Sequence, residues 1–341
     1  MNSLKKLTQI KPDWTKKSIQ LIYNTPLLDL IHQSATIHRQ HHNPNEIQLC
    51  TLLNIKSGGC SEDCSYCSQS SRYKTDSPVT KLMNVDDVLK EARLAKENGS
   101  TRFCMGAAWR DMTGRKTNLK NICEMVTEIK GMGMEVCTTL GMLDEAQAKQ
   151  LKDAGLTAYN HNIGRNTILL TLDTSKEFYP TVITTRSFDE RLETIENVKN
   201  AGIKVCTGGI LGLGESEEDR ISFLHTLSKV EPESLPINAL VPIEGTPMFK
   251  NKKIPVHTII RTIATARIIL PKSIIRLAAG RVNMSEAEQA MCFMAGANAI
   301  FTGKRMLTTA CTGWDEDKEM LGRWGLHGME SFKHESIEMV E

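Results

Sequence analysis

From residue 47 onward the chain keeps repeating one phrase: a short apolar run, a Gly- or Asn-rich turn, then an amphipathic helix that ends near glycine. The apolar runs are "IQLCTLLNI" (47–55), "TRFCM" (101–105), "MEVCT" (134–138) and "LTAYN" (156–160). They continue with "IKVCT" (203–207), "SLPINAL" (234–240), "IIRLA" (274–278) and "NAIFT" (298–302). In 84–98, Asn84 can cap a helix whose Val85, Val88, Leu89, Ala92 and Ala95 share one face before Gly99. In 118–130 the stripe is Leu119, Ile122, Cys123, Val126 and Ile129, closed by Gly131. Ser187 with Glu190, and Ser285 with Glu288, have the S-x-x-E spacing of a capping box. A last helix is expected to start near Asp315.

Strands that alternate with helices form a parallel sheet, because parallel neighbours need crossover connections. Eight such units are the number that closes into a (β/α)8 TIM-type barrel. An open doubly wound sheet is less favoured, since no G-x-G-x-x-G opens the first unit. The expected organisation is an N-terminal helical extension (1–46), the barrel (47–310) and a C-terminal helix and tail (311–341). Barrel active sites lie at the C-terminal strand ends. Those ends carry Cys60, Cys104, Cys137, Asn160 with Asn162, Cys206, Asn238 and Arg276, so polar and sulfur-bearing residues collect at one mouth.

Hydrophobic residues at 40% and charged ones at 24% are enough for a sizeable packed core. Lys and Arg total 42 against 40 acids, with no basic stripe, so there is no electrostatic case for nucleic acid. No apolar run reaches the roughly 18–20 residues of a membrane span; "HTIIRTIATARIIL" carries two arginines and reads as a helix of a soluble fold. The N-terminal "MNSLKKLTQIKPDWTKK" lacks the apolar core of a secretory signal, and Pro12 with the absence of arginine argues against a mitochondrial presequence. Ten cysteines without a secretion signal point to a reducing compartment, where clustered thiols more often hold metal than pair as disulfides.

Cys60, Cys64 and Cys67 are spaced C-x3-C-x2-C within "NIKSGGCSEDCSYCSQSS" (54–71). Cysteine thiolates hold iron–sulfur clusters, and three of them on a four-iron cluster leave one iron open to a further ligand. A structural zinc site is usually closed by four ligands; the fourth would have to be Cys50, His32, His38, His41 or His42. The compact spacing, with the aromatic Tyr66 before the third cysteine, favours iron–sulfur.

This C-x3-C-x-(aromatic)-C run resembles the signature of the radical S-adenosylmethionine family. "SSRYKT", "STRFCMGAAW", "YNHN", "LDTSKEFY", "ITTRSF", "RLAAGR" and "AMCFMAGANAIF", in this order, narrow the resemblance to its biotin synthase members, over nearly the whole chain. The resemblance implies a [4Fe–4S] cluster on Cys60, Cys64 and Cys67 that binds S-adenosylmethionine and generates a 5'-deoxyadenosyl radical. It also implies a [2Fe–2S] cluster, the sulfur donor, at Cys104, Cys137, Cys206 and Arg276. Arg276 is the odd member, because a guanidinium donates hydrogen bonds and accepts none. Further implied roles are Tyr66 at the adenine, "MGAA" (105–108) at the methionine end, Asn162 and Asp173 at the ribose or substrate, and Arg191 at the cofactor carboxylate. Asn162 and Asn238 would pair with the ureido group of dethiobiotin, Thr308 and Thr309 with its carboxylate, and "GGILGLGE" (208–215) would bring backbone close to the cofactor. The family further implies a homodimer, a flavodoxin- or ferredoxin-like reductant, and a cytoplasmic site or, in a eukaryote, the mitochondrial matrix.

Cys50, Cys123, Cys292 and Cys311 read as structural. One departure concerns the loop after the fourth strand, where "IGRNTILLT" (163–171) intervenes between "YNHN" and "LDTS". It is expected either to bulge as a lid or to displace Asp173 and impair the enzyme. The rivals are another radical enzyme of the same barrel type, a zinc-stabilised binding protein, and a homologue disabled by the insertion.

Overall fold

The computed structural model describes residues 13–162, 182–303, 305–306 and 309–333. Two helices, α1 (Lys16–Tyr23) and α2 (Leu27–His41), precede the barrel. The barrel then runs β1 (Glu46–Lys56), α3 (Val85–Glu97), β2 (Arg102–Ala107), α4 (Lys116–Gly131), β3 (Glu135–Thr139), α5 (Glu145–Asp153) and β4 (Ala158–Asn160). Next come α6 (Phe188–Asn200), β5 (Lys204–Cys206), β6 (Gly209–Leu211), α7 (Glu217–Val230), β7 (Ser234–Ala239), α8 (Val256–Ile269), β8 (Ile274–Leu277), α9 (Glu286–Met294) and β9 (Ala299–Phe301). A two-residue ribbon of β10 (Arg305–Met306) and β11 (Thr309–Ala310), helix α10 (Trp314–Arg323) and β12 (His327–Gly328) complete the described chain.

All pairings in the main sheet are parallel, and β1 pairs both β2 and β9, so the sheet closes on itself. Closure excludes the open doubly wound alternative. All eight apolar runs supply strands. The fifth barrel position is split: β5 pairs β4, and β6 continues against β7. The break falls at Gly208, where a Cβ would stand 2.0 Å from the Pro236 carbonyl oxygen. The "GGILGLGE" segment is therefore part strand, packed against β7, rather than turn alone.

The helices form where their pattern and caps agree. Val88, Leu89, Ala92 and Ala95 of α3 are buried against the sheet. Asn84 occupies its N-cap position but makes no side-chain cap bond. Ser187 and Ser285 each close a reciprocal capping box, as do Thr15, Asp144 and Ser216. Each such cap satisfies backbone donors that a helix start leaves orphaned, worth about 1 kcal/mol.

The barrel floor is ionic. Arg102 is buried between Glu135 and Glu233, both at 2.6 Å, and Gln48 donates to Glu135 at 3.2 Å. Both extensions brace the barrel from outside. Tyr23 of α1 accepts from Arg220 at 2.8 Å and lies 5.7 Å beneath the Arg261 guanidinium, while β12 pairs with the start of β1.

Candidate active site

The loop after β1 carries the three clustered cysteines. Gly58 turns it with a φ of +63°, and a Cβ there would meet the Pro78 carbonyl oxygen at 2.5 Å, so only glycine fits. Cys60 N–H donates to Gln69 at 3.0 Å and its carbonyl accepts from Ser71 at 2.8 Å, which folds the loop back on itself. Ser65 N–H donates to Val182 at 2.8 Å. The Asp63 carboxylate accepts the Thr184 N–H at 2.9 Å and the Thr185 N–H at 3.3 Å. The cysteine loop is thus clamped to the chain that enters α6. Burial pushes all three thiols up, Cys67 to about 12. They are protonated in the free chain, and metal binding must displace those protons.

Deeper in the barrel the side chains of separate strands meet. Cys104 and Cys137 stand opposite each other in the β2–β3 ladder, and Cys206 pairs with Ser234 of β7. Cys104, Cys137 and Cys206 form a row of thiols within hydrogen-bonding reach. Sharing hydrogen bonds with Cys137 draws Cys104 and Cys206 toward thiolate and holds Cys137 as thiol. Arg276 Nη1 donates to Ser234 Oγ at 3.0 Å and lies 3.9 Å from Cys206 Sγ; its Nη2 donates to Gln48 Oε1 at 2.7 Å. Burial opposes the Arg276 charge, but Cys50 and Cys206 beside it more than offset that and raise its pKa. Its guanidinium carbon lies 5.1 Å from the Phe301 ring centre.

One cavity of about 310 Å³ joins the two groups. Cys60, Cys64, Cys67 and Tyr66 line its mouth; Cys104, Cys137, Cys206 and Arg276 line its depth. Its volume falls at the lower end of small-molecule sites. Asn160 Oδ1 and Arg276 Nε, both on its lining residues, are buried without hydrogen-bond partners among the described residues. Such orphaned groups are costly unless a ligand meets them. Among the described residues, no three His, Cys, Asp or Glu side chains converge on a single-ion site. Three cysteines on one loop and three on separate strands border this one cavity.

The other expected residues divide. Asn162 and Asn238 border the cavity. Asn162 Oδ1 accepts from Gly208 N–H at 3.1 Å, and Asn238 bridges the Gly209 carbonyl (3.0 Å) and Ala279 N–H (3.1 Å). Both amides are thus partly used to hold the wall. Gly106, Ala107 and Ala108 of "MGAA" border the cavity too. Arg191 is buried outside the lining and donates to the Asn162 carbonyl. Asp173, Thr308 and the 163–171 insertion lie outside the described residues; Thr309 is placed only by its backbone in β11.

Sequence reasoning missed Glu62 and Arg186, which line the mouth and face each other at 3.8 Å. Cys50 was read from the sequence as structural. Cys50 is buried in one cluster with Cys104, Cys137 and Cys206. Alternation along β1 was the available signal, since Cys50 shares the inward face of Gln48.

Comparison with known proteins agrees with this geometry. Residues 54–227 match the Radical SAM superfamily, and residues 236–327 match the Biotin and Thiamin Synthesis associated domain. "Biotin synthase, mitochondrial" of Emericella nidulans is 61% identical over 331 residues, covering 96% of this chain and 82% of that protein. The protein of the same name from Saccharomyces cerevisiae is 62% identical over 330 residues, 94% of this chain and 86% of its own. Biotin synthase of Cytophaga hutchinsonii is 55% identical over 96% of this chain and 95% of its own. Among solved structures, methylornithine synthase shares the fold with a TM-score of 0.78 at 17% identity, covering 100% of this chain and 99% of that one. Identity above half the positions, across nearly all of this chain and 82–95% of these relatives, places the chain in the biotin synthase family of the radical SAM superfamily.

Proposed function

We propose that the chain converts dethiobiotin to biotin by radical S-adenosylmethionine-dependent insertion of one sulfur atom. The observation that carries this reading is the single cavity bordered by both thiol groups. A substrate held there lies between a hydrogen-abstracting centre and a sulfur source. Cys60, Cys64 and Cys67 would hold a [4Fe–4S] cluster, and Cys104, Cys137 and Cys206, with Arg276 beside them, a [2Fe–2S] cluster. When bound, these clusters with S-adenosylmethionine supply a carbon-centred radical oxidant and sulfide.

The chain's own residues do the remaining work. Tyr66 packs its ring between the cysteine loop and the Leu213, Leu240 and Met248 cluster, a flat apolar surface for an adenine. Asn160 offers an unpaired amide oxygen to a donor on the substrate. Leu52, Ala107, Ile210, Pro236 and Phe301 exclude water that would quench a radical. Arg186 places positive charge at the mouth, where a carboxylate of S-adenosylmethionine or dethiobiotin would sit. We extend the reading to a homodimer, reduced by a flavodoxin- or ferredoxin-like protein. Two of the relatives carry "mitochondrial" in their names, which supports a matrix location in a eukaryotic source. No helix among the described residues is long and apolar enough to cross a membrane.

The test is anaerobic turnover of dethiobiotin after reconstitution to about six irons per chain. Biotin formation that requires both S-adenosylmethionine and a reductant is expected. Deoxyadenosine without biotin would overturn sulfur insertion in favour of another radical reaction. Deleting residues 163–171 tests the insertion: unchanged turnover shows that it does not impair the enzyme, and a gain shows that it does.

A further inference from the structure

The underside of the barrel is crossed by the chain that follows α10. β12 adds to the start of β1, with His327 N–H donating to Asn45 and Met329 N–H to Ile47, each at 2.9 Å. Met329 is buried against Ile274 and Ala299, the first residues of β8 and β9. Ser331 Oγ donates to the Thr101 carbonyl at 3.1 Å, Phe332 N–H donates to Glu135 Oε1 at 2.9 Å, and Lys333 pairs with Glu46. Residues 327–333 thus form a strap over the N-terminal ends of β1, β2, β3, β8 and β9, opposite the mouth. Phe332 has a φ of +60°, one of two non-glycine residues with positive φ among the described residues. Such a backbone persists only where its surroundings hold it.

From Phe332 an unbroken series of hydrogen bonds leads inward. The Glu135 carboxylate that accepts the Phe332 N–H also accepts from Gln48 Nε2 at 3.2 Å. Gln48 Oε1 accepts from Arg276 Nη2 at 2.7 Å, and Arg276 Nη1 lies 3.9 Å from Cys206 Sγ. We propose that the strap is a positioning element for the buried thiols: through Glu135 and Gln48, the Phe332 amide fixes the Arg276 side chain in its place beside Cys206. This rests on the two-cluster reading above, in which those thiols and Arg276 belong to the second cluster. An arginine has several torsions to order, and its head stays put only when the groups it meets are themselves held. Gln48 can face only one way, because its N–H group must meet the carboxylate and its oxygen the guanidinium. Arg102 and Gln48 hold one oxygen of Glu135 and the Phe332 amide holds the other, which together set the plane of the carboxylate. Gln48, Arg102 and Glu135 are all buried, so each bond in the series is costly to leave unmade.

The experiment compares the wild-type chain with four variants. Phe332→Pro removes the N–H and cannot adopt the positive φ, whereas Phe332→Gly keeps both. Gln48→Leu cuts the series one step nearer the thiols, and the fourth variant combines Phe332→Pro with Gln48→Leu. Each is reconstituted anaerobically and read by resonance Raman and Mössbauer spectroscopy, and by the rate at which a chelator strips iron from the second cluster. The [4Fe–4S] signal reports an intact barrel. Phe332→Pro and Gln48→Leu are each expected to shift the iron–sulfur stretching bands of the second cluster and to speed its loss about tenfold. The double variant should be no worse than Gln48→Leu alone, because both changes cut one series of bonds, and Phe332→Gly should match the wild type. A wild-type second-cluster spectrum in Phe332→Pro, even with faster iron loss, would make the strap a cover only and overturn the inference. Additive effects in the double variant would overturn it too. If Phe332→Pro loses the four-iron signal as well, Glu135→Gln replaces it in the same comparison, with the same outcomes. A wild-type chain that assembles only the four-iron cluster would overturn the two-cluster reading and the inference together.

Discussion

The chain holds two groups of thiols built in opposite ways. Cys60, Cys64 and Cys67 lie on one loop, within eight residues, at the mouth of the cavity. Cys50, Cys104, Cys137 and Cys206 come one each from β1, β2, β3 and β5, and meet only because the sheet closes. The loop group depends on local geometry: a glycine turn and a clamp through Asp63 to Thr184 and Thr185. The ring group depends on register, and its polar neighbours are held by a buried ionic floor. The loop group borders the cavity, where a further ligand could reach it. A strand ring is rigid and dry, so it suits a cluster that must be kept from water.

The sharpest way to separate the two groups is to delete one thiol from each. Cys64→Ala should abolish biotin formation, at least about 1,000-fold or ~4 kcal/mol in barrier, and remove the four-iron signal while the second cluster persists. Cys137→Ala should abolish biotin formation equally but leave the four-iron signal; biotin made by this variant would end the sulfur-donor assignment. A next step breaks the floor. Glu135→Ala leaves Arg102 short of a buried partner, and Phe332 N–H loses its 2.9 Å acceptor. The expected cost is about 3–5 kcal/mol, seen as a lower midpoint in urea and as poor retention of the ring cluster, not the loop cluster.

Loosening the loop should do the reverse at smaller scale. Asp63→Ala removes the acceptor for two backbone donors, at about 1–3 kcal/mol, and should hasten loss of the four-iron signal in air with little change in the midpoint of unfolding. Acid should blur the distinction. Burial and the adjacent Arg267 charge hold His38 down to about 3 and His42 to about 2. Both are neutral when folded and take up protons on unfolding as pH falls below 6.5. Their stabilisation is therefore complete above pH 6.5 and declines below it, by roughly 1–2 kcal/mol between pH 7.5 and 6 for the pair. Urea midpoints at the two pH values check this. His42→Gln should flatten the profile, because Pro271 and Arg267 then meet a side chain that does not titrate.

How much of this was readable beforehand differs between the same two regions. Eight apolar runs and the capping boxes at Ser187 and Ser285 were legible because strand alternation, helix periodicity and cap spacing are local properties of the chain. The three loop cysteines were legible as one group because they lie within eight residues of one another. Cys104, Cys137 and Cys206 were found through the strand-end pattern and the family resemblance. Cys50 was read as structural, since a cysteine inside an apolar strand looks like any small buried residue, and only the closed barrel shows that it packs against Cys104, Cys137 and Cys206. Arg186 escaped notice because nothing adjacent to it in "ITTRSF" marks a cavity wall.

The sequence by itself determined the repeat, and with it a parallel sheet, and the mouth at which its chemistry collects. Tertiary structure decided which inward residues share a level. That depends on strand tilt and closure, which bring Cys50 beside Cys104 and Arg276 although 54 and 226 residues separate them along the chain. Contacts of that kind are set by how the barrel closes, and no local pattern in the chain encodes them.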